Sequence, residues 1–132
     1  MDRIKVVYLA QSCAPEVREI PNEGDAFREL IGGYMELVPI KEYADGRQLL
    51  VVCDEEGKLK GKLPNFPLIY NGALYDWACG DVVLTMGYGE EFVGSDSDIA
   101  DINEYLESIF LQHKQRDITR NISQKACAGI YT

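Results

Sequence analysis

The sequence lacks the features that membranes, structural metals and nucleic acids require. Its uninterrupted apolar runs, such as residues 49–52, are far shorter than the roughly twenty residues that a membrane-spanning helix needs. It contains one histidine and four cysteines, and no two cysteines form a C-x-x-C pair, so we expect no metal and no cofactor. With 22 acidic and 13 basic residues, the net charge of −9 disfavours direct binding to nucleic acid, which depends on Lys and Arg.

Length and composition predict one domain that spans residues 1–132. Apolar residues make up 46% of the chain, and a domain of this size buries roughly two thirds of the surface that its unfolded form exposes. That burial suffices for a core without disulfides, so we expect buried free thiols. The first residues lead into a strand-like run and not into a signal peptide, which predicts a cytoplasmic protein. Residues 116–132 are polar and basic, and we interpret them as an extension or tail.

Strand-like runs occupy most of the chain. Residues 4–10 are rich in β-branched and aromatic side chains, which predicts a strand covered on both faces. Asn71 and Gly72 lie between apolar arms and predict a hairpin with a two-residue type I′ turn. Pro39 lacks an N–H and is expected at an edge strand or a bulge. Further strands are predicted at residues 15–20, 34–43, 48–53, 58–63 and 82–86.

Helical spacing of apolar residues predicts two helices. A short helix is expected near residues 23–31 and an amphipathic helix near residues 97–114. We expect Asn22 to cap the first helix, and Ser95 or Ser97 to cap the second. Because turns connect most of the strands directly, the predicted fold class is α+β with a meandering, mostly antiparallel sheet.

Four short motifs carry a resemblance to a known family. In chain order they are Ile31-Gly32-Gly33-Tyr34-Met35-Glu36, Asp54-Glu55-Glu56-Gly57-Lys58-Leu59, Leu63-Pro64-Asn65 and Ala78-Cys79-Gly80-Asp81. Over roughly residues 4–106 the chain resembles a family of short uncharacterised proteins from bacteriophages, plasmids and gut Firmicutes, a domain of unknown function. The resemblance implies a small mixed fold and a mobile-element context, with the host cytoplasm as the location if the protein is phage-encoded.

The resemblance brings no catalytic residues to this chain. In that family an arginine often follows the asparagine of the third motif, but Phe66 stands at that position here. This difference argues against an anion-binding role at the motif. Mobile-element proteins of this size often modulate the host or its defences. The resemblance implies this context for the protein and no more specific role.

A segment without cations is the most unusual feature of the sequence. No Lys or Arg lies between residues 63 and 113, whereas nine acidic residues do. If these acids share a surface, their field attracts a basic partner. We therefore predict a non-enzymatic binding protein that inhibits a host-defence or nucleic-acid-handling factor, through an acidic surface formed by Glu90, Glu91, Asp96, Asp98, Asp101 and Glu104. The same pattern also fits a solvated helix face that only keeps the protein soluble.

Sequestration of a small nucleotide-like signalling ligand, within or between subunits, is the alternative hypothesis. Aromatic rings stack on bases and cations neutralise phosphates. The candidate ligand-binding residues are Arg28, Tyr34, Arg47, Lys58 and Tyr88, although packing in the core or in hairpins also explains such aromatic residues. Residues 87–94 are rich in glycine, but their two glutamates would repel a phosphate, so we expect a mobile connection between strand and helix.

No catalytic residues are predicted. His113 has no nucleophile close in sequence, and no segment matches a serine elbow, a Walker loop or a dinucleotide fingerprint. The segregated charges and the open edges of a meandering sheet predict a homo-oligomer, most simply a dimer. In that dimer the basic tail of one copy would reach the acidic half of its neighbour.

Overall fold

The structure, a computed structural model, describes the backbone of residues 3–120 and the side chains of residues 3–109. Eight strands and two helices follow one another in this part of the chain. The strands are β1 (Arg3–Leu9), β2 (Glu16–Pro21), β3 (Met35–Glu42), β4 (Arg47–Asp54), β5 (Pro64–Tyr70), β6 (Ala73–Cys79), β7 (Val82–Tyr88) and β8 (Glu91–Val93). The helices are α1 (Gly24–Ile31) and α2 (Asp96–Arg120).

Six strands form one sheet in the order β2-β1-β7-β4-β3, with β8 also paired to β7. Strands β5 and β6 form a separate two-stranded hairpin. All pairings in the described part of the chain are antiparallel. The predicted α+β fold with a mostly antiparallel sheet is therefore confirmed.

The large sheet buries apolar side chains on both faces. On one face α1 contributes Phe27 and Ile31 to a cluster that includes Val52 of the interior strand β4. On the other face the β5–β6 hairpin contributes Phe66, and α2 contributes Ile102, to the larger cluster. Three layers result, with the sheet between α1 on one side and the hairpin and α2 on the other.

Two turn predictions are confirmed by the backbone. Asn71 and Gly72 have φ angles of 51° and 80°, the left-handed conformation that both central residues of a type I′ turn adopt. Pro39 lies on the edge strand β3, where a bulge shifts the register between Pro39 and Lys41. The lack of an amide hydrogen on Pro39 is therefore tolerated there.

Two other local predictions are wrong. The side chain of Asn22 does not cap α1: it donates a hydrogen bond to the carbonyl of Phe92, and Glu23 holds the N-cap position without a side-chain hydrogen bond. Residues 87–94 do not form a mobile connection. Strand β7 continues to Tyr88, and β8 returns beside it after a turn at Gly89, whose φ is 62°.

The start of α2 is fixed by a reciprocal cap. The Ser95 hydroxyl accepts a hydrogen bond from the Asp98 N–H at 3.2 Å, and the Asp98 carboxylate accepts one from the Ser95 N–H at 2.9 Å. The predicted cap at Ser95 is confirmed, and α2 is longer than the predicted helix. The side chain of His113 and most of the tail at residues 116–132 lie outside the described residues.

Substituting Gly94 by alanine tests the junction between β8 and β1. The Gly94 carbonyl accepts a hydrogen bond from the Lys5 N–H at 3.1 Å, and a Cβ on Gly94 would lie 2.4 Å from the Lys5 carbonyl oxygen. Unlike a side chain, the backbone of Lys5 cannot rotate away from the added methyl group. We therefore expect Gly94→Ala to lower the free energy of unfolding by roughly 2–3 kcal/mol in urea titrations. Gly61 has open space around it, so Gly61→Ala introduces only the backbone strain of a φ of 77°. This variant should lower the free energy of unfolding by about 1 kcal/mol. Equal losses would contradict this interpretation.

Candidate functional site

Arg47 gathers three carboxylates at one end of the large sheet. Its Nη2 lies 2.7 Å from Asp101, its Nε lies 2.8 Å from Asp45, and its Nη1 donates to Asp98. The hydrogen bonds that Arg47 donates to Asp101 and Asp98 raise the pKa of Arg47 above its ordinary value. The guanidinium is therefore fully charged, and its donors already have acceptors within the protein.

Asp98 and Asp101 attach α2 to β4 and do not form a free acidic surface. The side chain of Asp98 is only 7% exposed, although the sequence predicted it on the solvent side of the helix. Burial opposes its charge, but hydrogen bonds from Ser95 and Arg47 outweigh burial and lower the pKa of Asp98. Asp96 forms an ion pair with Lys5 but leaves most of its side chain in solvent.

The other three predicted acids are exposed and unpaired in the described part of the chain. Glu90 and Glu91 lie at the turn between β7 and β8, and Glu104 lies on α2. Burial raises the pKa of Tyr43, and Asp101 and Glu104 add to this rise, so both carboxylates lie near this ring. We call this region the acidic end, defined by Asp45, Arg47, Glu90, Glu91, Asp98, Asp101 and Glu104.

The structure does not assemble the predicted ligand site. Arg47 pairs with Tyr88 across β4 and β7 at the acidic end, whereas Lys58 follows the other end of β4. An eight-residue strand separates its ends by roughly 24 Å, so the two groups cannot hold one nucleotide. Arg28 forms an ion pair with Asp25. Tyr34 is 70% exposed and precedes β3.

The cations of the described part are committed to internal contacts. Eight of its nine Lys and Arg side chains form salt bridges, namely Arg3, Lys5, Arg18, Arg28, Arg47, Lys58, Lys60 and Lys62. The ninth, Lys41, lies over the ring of Tyr43 at 5.1 Å. Several exposed glutamates have no such partner in this part of the chain, so its surface is predominantly negative.

A second polar cluster surrounds Asp54 at the opposite end of β4. The Asp54 side chain is fully buried, and one of its oxygens lies 2.8 Å from both Lys60 and Lys62. Lys62 also donates to the Ile31 carbonyl at the C-terminus of α1, where positive charge is favourable. Burial alone would raise the pKa of Asp54, but the hydrogen bonds from both lysines outweigh it and lower the pKa to about 2.

The contacts of Asp54 determine which side chains of the following loop face inward and which face solvent. Residues 58–63 were predicted as a strand, but residues 55–63, here named the lysine loop, form turns closed by short-range hydrogen bonds such as that between the Lys62 N–H and the Gly57 carbonyl. The lysines turn toward carboxylates, whereas Leu59 is 86% exposed and Leu63 is 66% exposed. The loop therefore presents its leucines to solvent.

The expectation of buried free thiols is confirmed for two of the three described cysteines and is wrong for Cys13. Cys53 and Cys79 are buried, Cys13 is exposed, and none of them forms a disulfide. Burial raises the pKa of Cys53 to about 12, so it remains protonated at neutral pH. Within the described part no group of three or more His, Cys, Asp and Glu is placed to hold a metal ion, and no helix is long and apolar enough to span a membrane.

The four motifs meet in pairs in the folded chain. A Cβ on Gly33 of the first motif would lie 2.4 Å from the carboxylate of Asp54 in the second, which leaves room only for glycine. The Asn65 side chain of the third motif donates to the carbonyls of Leu9 and Gly80, the latter in the fourth motif, each at 2.9 Å. The motifs thus make structural contacts.

Comparison with known families assigns the chain to one of them. The family described as Domain of unknown function (DUF3846) matches residues 4–109. The chain belongs to this family. No curated protein and no solved structure matches the chain. The expected membership of an uncharacterised domain family is confirmed, and the match covers nearly all the residues whose side chains the structure describes.

The roles of Asp54 and of the lysine loop were not predicted from the sequence. Alternating charged and apolar residues in that loop resemble an exposed strand, and nothing local indicates that the lysines face inward. The one available signal was the pair Gly32-Gly33 after α1, because a second glycine beyond the helix end indicates a close approach by another group.

Acid unfolding tests the Asp54 cluster. A folded pKa of about 2, below the ordinary 3.8, means that Asp54 stabilises the fold above pH 4 and that this contribution is lost as the pH falls from about 4 to 2. We expect Asp54→Asn to lose about 2 kcal/mol at pH 7 and to depend less on pH in that window, as measured by urea unfolding. The exposed pair of Asp76 and Lys58 provides the control, since Asp76→Asn should lose less than about 1 kcal/mol. Equal pH dependence in wild type and Asp54→Asn would contradict the assignment.

Replacing Arg47 by lysine tests the other cluster. A lysine ammonium cannot meet three carboxylates in the geometry of the guanidinium fork, so Arg47→Lys should lower the free energy of unfolding by roughly 1–2 kcal/mol. Arg28, which has one exposed ion pair with Asp25, provides the matched control. Arg28→Lys should change stability by less than about 0.5 kcal/mol. Similar values for the two variants would show that Arg47 does not hold α2 in place.

Proposed function

We propose that the protein is a non-enzymatic binding protein that presents the acidic end to a basic surface of a partner protein in the cytoplasm. One observation carries this proposal. All nine described cations are committed to carboxylates or to a ring, while Glu90, Glu91 and Glu104 are exposed without a salt bridge in the described part.

The roles of the acidic residues differ within this surface. Asp98 and Asp101 are held by Arg47, so they fix α2 against β4 and give the surface a defined shape. Glu90, Glu91 and Glu104 supply the charge that a partner meets. Because the backbone that carries these glutamates is already ordered, a partner immobilises only their side chains, and this arrangement favours electrostatic recognition.

The partner class follows from the sign of the charge. A protein that grips nucleic acid presents Lys and Arg to phosphates, and an acidic surface competes for the same side chains. A mobile-element protein that covers such a surface would inhibit a host defence or a nucleic-acid-handling factor. Electrostatic attraction of this kind speeds association, and binding that depends on it weakens as the salt concentration increases.

A charge-neutralising triple variant tests the proposal. We expect Glu90→Gln, Glu91→Gln and Glu104→Gln together to weaken binding of a fluorescein-labelled deca-arginine peptide by about fivefold in fluorescence anisotropy at low salt. The matched control neutralises Glu23, Glu29 and Glu56, which are exposed acids outside the acidic end. The control removes the same charge, so it should weaken binding by less than about twofold.

Equal effects of the two triple variants would overturn the proposal, because they would show that net charge and not the acidic end attracts the peptide. A second measurement identifies the partner. Wild type and the acidic-end variant are used as baits in a bacterial lysate, and the proteins lost specifically with the variant are expected to be basic and to elute as salt is raised.

A further inference from the structure

A groove runs along the open edge of β3 at the end of the molecule opposite the acidic end. It has a volume of about 420 Å³, and four consecutive β3 residues, Glu36 to Pro39, line one side. Trp77 and Tyr75 of β6 line the other side, and Leu59 of the lysine loop closes one end. Buried apolar side chains, including Leu68, form part of its lining.

Exposed apolar side chains line the groove. Leu59 is 86% exposed and Tyr75 is 55% exposed. The position of Leu59 is fixed, because Lys60 and Lys62, which follow it in the loop, form salt bridges with the buried carboxylate of Asp54. Exposed apolar side chains held on a rigid frame are typical of protein-binding sites.

The backbone at this edge is ready to pair with another strand. The Glu55 N–H donates to the Tyr34 carbonyl at 2.8 Å, so by antiparallel alternation Glu36 and Val38 bond to β4. The N–H and carbonyl groups of Met35 and Leu37 therefore face away from β4. No strand pairs with this edge in the described part of the chain.

The charges at the rim select the occupant. Glu36 and Glu55 line the groove and form no salt bridge with described residues, while Lys58 is paired with Asp76. A second copy of the chain would bring a predominantly acidic surface with no uncommitted cation among the described residues. A segment that carries both apolar and basic side chains complements the groove.

We infer that this groove binds an extended segment of a partner protein, which adds as a strand to β3, places apolar side chains against Leu59 and Tyr75, and directs Lys or Arg toward Glu36 and Glu55. Main-chain hydrogen bonds to Met35 and Leu37 hold the segment, and the pockets select its side chains. The inference shares with the proposed function only the partner's positive charge and concerns a different surface.

Selection from a displayed library of linear peptides of about ten residues tests the inference. Enriched peptides should alternate apolar and basic residues. Trp77 is the chain's one tryptophan and lines the groove, so its fluorescence should change when a synthetic copy of an enriched peptide binds. Leu59→Ser should weaken this binding about tenfold, since truncation of an apolar anchor residue has effects of that size.

Matched variants separate the groove from the rest of the molecule. Leu63→Ser alters an exposed leucine that does not line the groove and should change affinity by less than about twofold. Glu36→Gln combined with Glu55→Gln should weaken binding and reduce its dependence on salt. The triple variant at the acidic end should bind the peptide normally, so failure of the proposed function would leave this result intact.

Three results would overturn the inference. They are no enrichment over an unrelated acidic protein, equal peptide affinity in wild type and Leu59→Ser, and enriched peptides without basic residues. A dimer in solution that Leu59→Ser dissociates would instead assign the groove to a second copy. Both serine variants alter well-exposed side chains, so circular dichroism should show that they fold.

Discussion

The buried carboxylate of Asp54 determines how the chain folds between β4 and β5. Removing a carboxylate from water costs several kcal/mol unless charged partners and hydrogen bonds replace the water. Lys60 and Lys62 provide that replacement, and the Glu56 N–H donates a further hydrogen bond at 2.9 Å. Because both lysines must reach one oxygen, the lysine loop turns back on itself, and the leucines on either side of them, Leu59 and Leu63, are left in solvent.

The same physical arrangement operates at the other end of β4. There a single guanidinium meets Asp45, Asp98 and Asp101, and α2 is held against the sheet. At both ends an internal ion cluster connects β4 to an element that follows it in the chain, the lysine loop at one end and α2 at the other. A consequence is that the described cations already have partners within the protein, which leaves the unpaired glutamates as the free charges of this part of the chain.

Sequence patterns predicted the elements whose signals are local. Asn71-Gly72 requires left-handed φ angles, Pro39 lacks a donor, and Ser95 precedes a helical apolar stripe, so each feature was correctly placed. The strand predicted at residues 58–63 failed because alternating charge has the same period in an exposed strand and in a loop whose lysines are drawn inward. Only the distant carboxylate distinguishes the two.

The candidate site was predicted in part for the same reason. Acidic residues at helical spacing indicated a solvent-facing row on α2, and Glu104 lies on such a face. Asp98 and Asp101 do not, because Arg47 approaches from a strand about fifty residues earlier in the chain. A helix period describes one element, and it carries no information about which charged group another element brings to it.

Internal pairing also constrains what the protein can bind. Four of the thirteen cations lie beyond the described side chains, at Lys114, Arg116, Arg120 and Lys125. A contact between two copies through residues 3–109 alone would bring like charges together, since the cations of that part already have partners. Favourable charge contacts must therefore come from the C-terminal segment of a copy or from a different protein. Lys and Arg from either source meet the exposed glutamates without breaking the ion pairs that hold the fold, so a dimer through the C-terminal segment and a basic partner protein make the same kind of charge contact.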